Sequence, residues 1–119
     1  MKLRFDSVFY YVSDLERSIQ FYRDVLEFRL LSQDVVARFD VDGVLFEIVP
    51  GDKGQLSGNG NARFCLLVDD VAQALNKLRE QGVLTSGPHL KSNGVLGSLR
   101  DPDDNEICLW QYSENHSRR

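Results

Sequence analysis

Apolar positions recur along this chain with two periods, and the two alternate in order. Leu15, Ile19 and Tyr22 follow an i, i+4, i+7 spacing, and Val71, Leu75 and Leu78 repeat it 56 residues later. Each trio lines one face of a helix. Val12-Ser13-Asp14-Leu15 and Val68-Asp69-Asp70-Val71 stand at the same offset. Both helices therefore open on a polar pair whose side-chain oxygens can accept the free N–H groups of the first turn. Ser13 and Glu16 have capping-box spacing, and Gly82 supplies a left-handed stop for the second helix.

Around the helices lie runs rich in aromatic and β-branched residues, which predict strands. Ser7 to Val12 precedes the first helix; Phe28 to Ser32, Val35 to Val41 and Val44 to Val49 follow it, with Asp42-Gly43 as a two-residue hairpin turn. The second half repeats the order with Arg63 to Val68, a weaker run near Thr85, Val95 to Arg100 and Glu106 to Tyr112. Gly94 and Gly97 suggest bends in the seventh strand. Gly51 to Asn61 carries four glycines and predicts a connection or a lid, and Ser113 to Arg119 predicts a frayed end. The expected organisation is α+β: one domain over residues 1–119, with a βαβββ module at about 5–50, a linker at 51–61, a second module at about 62–112 and a flexible tail at 113–119. One module leaves a sheet face uncovered, so two must share a core or pair across a dimer.

Composition changes this picture mainly by exclusion. With 119 residues, 42% hydrophobic and 27% charged, the chain suits a single soluble globular domain. A net charge of −4 without a basic stripe argues against nucleic acid. No run is long enough to span a bilayer, and Met1 to Asp6 turns polar before a secretory core can form, so a cytoplasmic protein is expected. There the two cysteines, Cys65 and Cys108, are expected as free thiols and as small buried hydrophobes.

The stretches YVSDLERSIQFYRDVLEFRLL, LFEIVP, LLVDDVAQALNKLREQGV and DPDDNEICLWQ, taken in order, resemble the vicinal oxygen chelate superfamily of glyoxalase I, bleomycin-resistance proteins and extradiol dioxygenases. They span nearly the whole chain. One departure is Asp104, where that family usually has glycine. The resemblance implies two βαβββ modules whose mixed sheets curl around a concave cup, formed within one chain or across a homodimer. It also implies a metal-ligand position on the first and last strand of each module. Here those positions hold Ser7, Glu47, Arg63 and Cys108. Only Glu47 is a usual ligand for an oxygen-coordinated cation, whereas Arg63 has no lone pair to give and stays protonated. No metal and no cofactor are expected.

Strand alternation puts Ser7, Phe9 and Tyr11 on one face with Leu45, Glu47 and Val49, while Phe46 and Ile48 face the helices. In the second half Arg63, Cys65 and Leu67 share a face with Cys108, Trp110 and Tyr112. The expected ligand-binding set is Ser7, Phe9, Tyr11, Glu47, Arg63, Cys65, Cys108 and Trp110. Glu47 is the candidate base or ligand-binding carboxylate, set against a structural ion pair with Arg63. For the aromatic residues, stacking on a planar ligand competes with core filling or a dimer seam. Arg38, Asp40 and Arg100 stand either at the rim of the cup or as solvated strand residues. Three functions follow. The first is a non-catalytic protein that binds a small, partly planar organic molecule. The alternative is a metal-independent, or atypical metal-dependent, lyase or isomerase with Glu47 as general base and Arg63 steadying an enolate-like charge. The third is a regulatory or interaction module.

Overall fold

The computed structural model describes residues 1–52 and 62–114. The chain divides into two compact units, Met1–Gly58 and Asn59–Arg119. The first contains β1 (Val8–Val12), α1 (Leu15–Gln20) followed by a π-helical turn (Phe21–Val25), β2 (Arg29–Gln33), β3 (Ala37–Val41) and β4 (Val44–Pro50). The second contains β5 (Phe64–Leu67), α2 (Val71–Glu80), β6 (Thr85–Lys91), β7 (Gly94–Arg100) and β8 (Glu106–Tyr112). This is βαβββ twice, as the sequence repeat predicts. The expected connection or lid at 51–61 and the expected frayed end fall mostly outside the described residues.

Each unit forms a four-stranded mixed sheet, in the orders β1-β4-β3-β2 and β5-β8-β7-β6. The first and last strands of each unit are parallel neighbours, and the other pairs are antiparallel. The helix supplies the long crossover that a return to parallel pairing requires.

Local chemistry fixes the boundaries. Asp14 and Asp70 are the N-caps, accepting from the backbone N–H groups of Arg17 and Gln73. The N-cap is thus Asp14 and not the Ser13 of the expected capping box, and Ser13 Oγ accepts from the Arg17 guanidinium at 3.0 Å. Gly82 ends α2 at a φ of +81°. Asp42 and Gly43 both take positive φ, 53° and 84°, the pattern of the twist-matched two-residue hairpin turn. Asp104 sits at a φ of +68°, a conformation glycine reaches without cost.

The helix-facing residues bury two cores of different character. In the first unit, Val12, Ile19, Tyr22, Ala37, Phe39, Phe46 and Ile48 are fully inaccessible. Tyr22 is the hub of an aromatic cluster with Phe28, Phe39 and Phe46, at centroid distances from 4.9 to 6.1 Å. In the second, Val71, Leu75, Leu78, Leu99, Ile107 and Leu109 make an aliphatic core. Gly97 belongs to it as a close approach, since a Cβ there would stand 2.8 Å from Val71 Cγ1 and 3.1 Å from Leu75 Cδ1. The bends expected at Gly94 and Gly97 are not what the glycines provide, because β7 pairs with β8 in unbroken register from Gly94 to Arg100. The glycines give room, to α2 on one face and to Trp110 on the other.

Candidate functional site

In both units, alternation leaves the face away from the helix populated by the residues the sequence nominates. Phe9 stands opposite Glu47 and Tyr11 opposite Val49 across β1–β4. Their rings meet edge to face at 5.4 Å, and Phe9 keeps 49% of its surface exposed. In the second unit Cys65 stands opposite Cys108 and Leu67 opposite Trp110 across β5–β8. Trp110 and Tyr112 meet edge to face at 5.8 Å. Each open face thus carries one aromatic pair, on β1 and on β8. None of these four aromatic residues belongs to a core, so core filling does not account for them.

Gly94 sets the place of the indole. A Cβ on Gly94 would lie 2.5 Å from Trp110 Cζ2 and 2.9 Å from Cη2. The tryptophan ring therefore leans across β7 into space that only glycine leaves open.

Charge is arranged within each unit. The Glu47 carboxylate, 19% exposed, pairs with Arg38 Nε at 3.3 Å. Arg38 also reaches Asp34 at 3.3 Å and donates to Ser32 Oγ at 3.3 Å. Arg63 pairs with Glu106, whose second oxygen takes Arg100 at 3.2 Å, so one carboxylate sits between two guanidinium groups. Arg38 and Arg100, weighed from sequence as rim or solvated residues, are thus structural partners of the open faces. Asp40 pairs with Arg29 at a looser 3.6 Å. Ser7, half-buried, lies just ahead of β1.

One expectation needs correction. Cys65 is exposed and Cys108 half-buried, so neither is the buried hydrophobe that cysteine usually is. Both sulfurs are nonetheless partly desolvated. That pushes each thiol upward, and for Cys108 the negative Glu106 and the neighbouring Cys65 add to it while Arg63 and Arg100 oppose. His89 lies within β6, with Nε2 3.2 Å from Ser86 Oγ.

The sequence held a signal for Arg38 that alternation alone does not use. With Asp42-Gly43 as the turn, Val41 faces Val44, and counting outward brings Arg38 opposite Glu47, as the ladder has it. Glu106 and Gly94 had no such signal, because the turn before β8 is long and the indole's lean depends on packing.

Among the described residues, no helix is long and apolar enough to cross a membrane, and no three His, Cys, Asp or Glu side chains gather as a metal site would require.

Comparison with known proteins places this geometry. A probable lactoylglutathione lyase from Synechocystis sp. is 31% identical over 86% of this chain and 90% of that protein. The crystal structure of an antibiotic binding protein from Streptomyces sp. CB03234 matches with a TM-score of 0.77 at 27% identity, over 95% of this chain and 99% of that one. A fosfomycin resistance protein from Listeria monocytogenes, at 16% identity, shares the fold with a TM-score of 0.79 over 96% of this chain and 97% of the other. The family model for the glyoxalase/bleomycin resistance protein/dioxygenase superfamily matches residues 4–109, and the chain belongs to that superfamily.

Proposed function

We propose that this protein binds a small, partly planar organic molecule on its open sheet faces and that its divalent-metal site is degenerate. One observation carries the proposal. The open faces hold two edge-to-face aromatic pairs, Phe9–Tyr11 and Trp110–Tyr112, beside paired guanidinium and carboxylate groups. Aromatic side chains with unburied edges are the means by which proteins hold flat ligands, and guanidinium groups recognise carboxylate or phosphate substituents. The resemblance to an antibiotic binding protein at 27% identity supports it.

The donor set does not fit a divalent cation. Ser7 offers one neutral oxygen, Arg63 offers none, and Cys108 is a thiol whose upward shift disfavours the thiolate. Glu47 is left as the sole hard ligand, and it is already paired with Arg38. A hard cation takes six or more oxygen ligands, and zinc takes three or four good ones. In this proposal Ser7, Phe9, Tyr11, Glu47, Arg63, Cys65, Cys108 and Trp110 line the ligand, the two modules act as one domain, and the protein is a cytoplasmic homodimer.

The alternative is a lyase or isomerase with Glu47 as general base, and the 31% identity to a probable lactoylglutathione lyase favours giving it a test. A thermal-shift screen of planar aromatic and antibiotic-like compounds separates the two. A binder raises the unfolding temperature with the logarithm of ligand concentration above Kd, about 2.7 kcal/mol of stabilisation at a hundredfold excess over Kd. No stabilisation by any such compound, together with turnover of an α-ketoaldehyde adduct that Glu47→Gln abolishes, would establish the enzyme instead.

A further inference from the structure

Charge is shared unevenly on the two open faces. In the first unit one guanidinium, that of Arg38, is divided between two carboxylates, Glu47 and Asp34. In the second the ratio is reversed: Glu106 takes Arg63 on one oxygen and Arg100 on the other. Asp104 approaches Arg100 only to 3.9 Å and has 76% of its side chain exposed, and an ion pair of that kind is worth little. Two guanidinium groups thus share one close carboxylate, which leaves an excess of one positive charge. The Arg63 and Arg100 side chains are 36% and 31% exposed, so a solute can reach both.

The ladders fix where this charge stands relative to the aromatic pair. Glu106, Cys108, Trp110 and Tyr112 alternate onto one face of β8, with Arg100 opposite Glu106 and Gly94 opposite Tyr112 on β7. Four residues of strand, about 13 Å of backbone, therefore separate the Glu106 position from the Trp110 position. The indole leans over Gly94, which is towards Tyr112 and away from the charged end. Between the two ends runs the row Cys65, Cys108 and Ser98. Its groups are a hydroxyl and two thiols that desolvation holds in their neutral form. The face is cationic at one end, aromatic at the other and uncharged between.

We propose that the open face of the second module selects an aromatic acid, with its ring against Trp110 and Tyr112, its carboxylate at Arg63 and Arg100, and a short uncharged spacer between them. This rests on the organic-ligand reading above and adds the class of compound and its orientation. The planar guanidinium fork matches a carboxylate, and one negative charge balances the excess of one positive charge. A cationic compound meets repulsion at this end of the face.

The test is equilibrium dialysis of the full-length protein against a matched pair of probes, naphthylbutyrate and naphthylbutanol, read by naphthalene fluorescence. The acid is expected to bind about tenfold more tightly than the alcohol, the scale of one hydrogen bond to a charged group, and to lose that advantage as salt is raised. Arg63→Gln and Arg100→Gln are each expected to weaken the acid about tenfold and to leave the alcohol unchanged. Glu106→Gln removes the competing carboxylate and is expected to tighten the acid, a gain that a purely structural ion triad would not give. Trp110→Leu is expected to weaken both probes. Should an arginine variant fail to fold, the ratio of acid to alcohol in the wild type and its dependence on salt decide the matter. Equal affinity for the two probes, or weaker binding of the acid by Glu106→Gln, would overturn the aromatic-acid proposal while the organic-ligand reading stands. Binding of neither probe would overturn the proposal, and silence across the planar-compound screen as well would take the broader reading with it.

Discussion

Ser18 offers a stringent test of the packing in the first module. It lies on α1 with no accessible surface, and its Oγ has no hydrogen-bond partner among the described residues. Its backbone N–H donates to the Asp14 carbonyl at 3.0 Å, as the helix requires, so the hydroxyl alone is stranded. Burying an unpaired hydroxyl costs about 1–3 kcal/mol. Ser18→Ala removes that cost and gains about 0.5 kcal/mol of helix propensity. Against this stands the lost packing of one oxygen, of the order of 0.5–1 kcal/mol. The net expectation is a stabilisation of about 1–2 kcal/mol, or roughly 3–8 °C in Tm for a chain of this length. Urea unfolding followed by far-UV circular dichroism measures it, with m unchanged. A loss of stability in Ser18→Ala would refute the reasoning, because it would mean that Oγ is satisfied, for example by sharing the Asp14 carbonyl. Ser18→Val, which keeps the position apolar but adds a methyl group, is expected to lose about 1–3 kcal/mol by overpacking.

Four other outcomes are expected. Gly97→Ala forces a methyl group against Val71 and Leu75 and is expected to cost about 1–3 kcal/mol in chemical denaturation. Asp101, 5% exposed, accepts from the backbone N–H groups of Asp103 and Asn105 and from the Asn105 amide, so Asp101→Ala is expected to lose about 2–4 kcal/mol in the same assay. Asp104→Gly relieves a positive φ of +68° and is expected to be neutral or stabilising by up to about 1 kcal/mol, whereas Asp104→Val is expected to destabilise. The raised Cys65 and Cys108 thiols mean that the unfolded chain ionises first as the pH climbs. Their contribution to stability is complete below the ordinary thiol range and is lost as pH rises through it towards the folded values. Iodoacetamide should accordingly modify both thiols more slowly in the native protein than in urea at mildly alkaline pH.

Most of the fold was legible because two independent signals agreed at each element. The helical spacing of Ile19 with Tyr22 and of Leu75 with Leu78 coincided with capping aspartates at the repeat offset, and all four apolar residues are buried. Strand alternation assigned Phe46 and Ile48 to the core and Glu47 to the open face without reference to any partner strand. What strand alternation by itself did not supply was pairing. Glu47 and Arg63 were weighed against each other because alternation put both on open faces, and within its own sheet Glu47 pairs with Arg38 and Arg63 with Glu106. Those pairs depend on which strands neighbour each other, a property of register and not of composition. The role of Gly94 was hidden for a related reason. Its need arises from the ring of Trp110, sixteen residues away in sequence and one strand away in space.

The central claim is that an organic ligand binds at aromatic pairs on the open faces and needs no divalent metal. Trp110 is the chain's only tryptophan and one member of such a pair, so its fluorescence reports occupancy directly. Titrating EDTA-treated protein with planar aromatic antibiotics should give saturable quenching, with the same Kd before chelation, after it, and after nickel or zinc is added back. Quenching that disappears with EDTA and returns with stoichiometric metal would contradict the account and point to a working metal centre at Glu47.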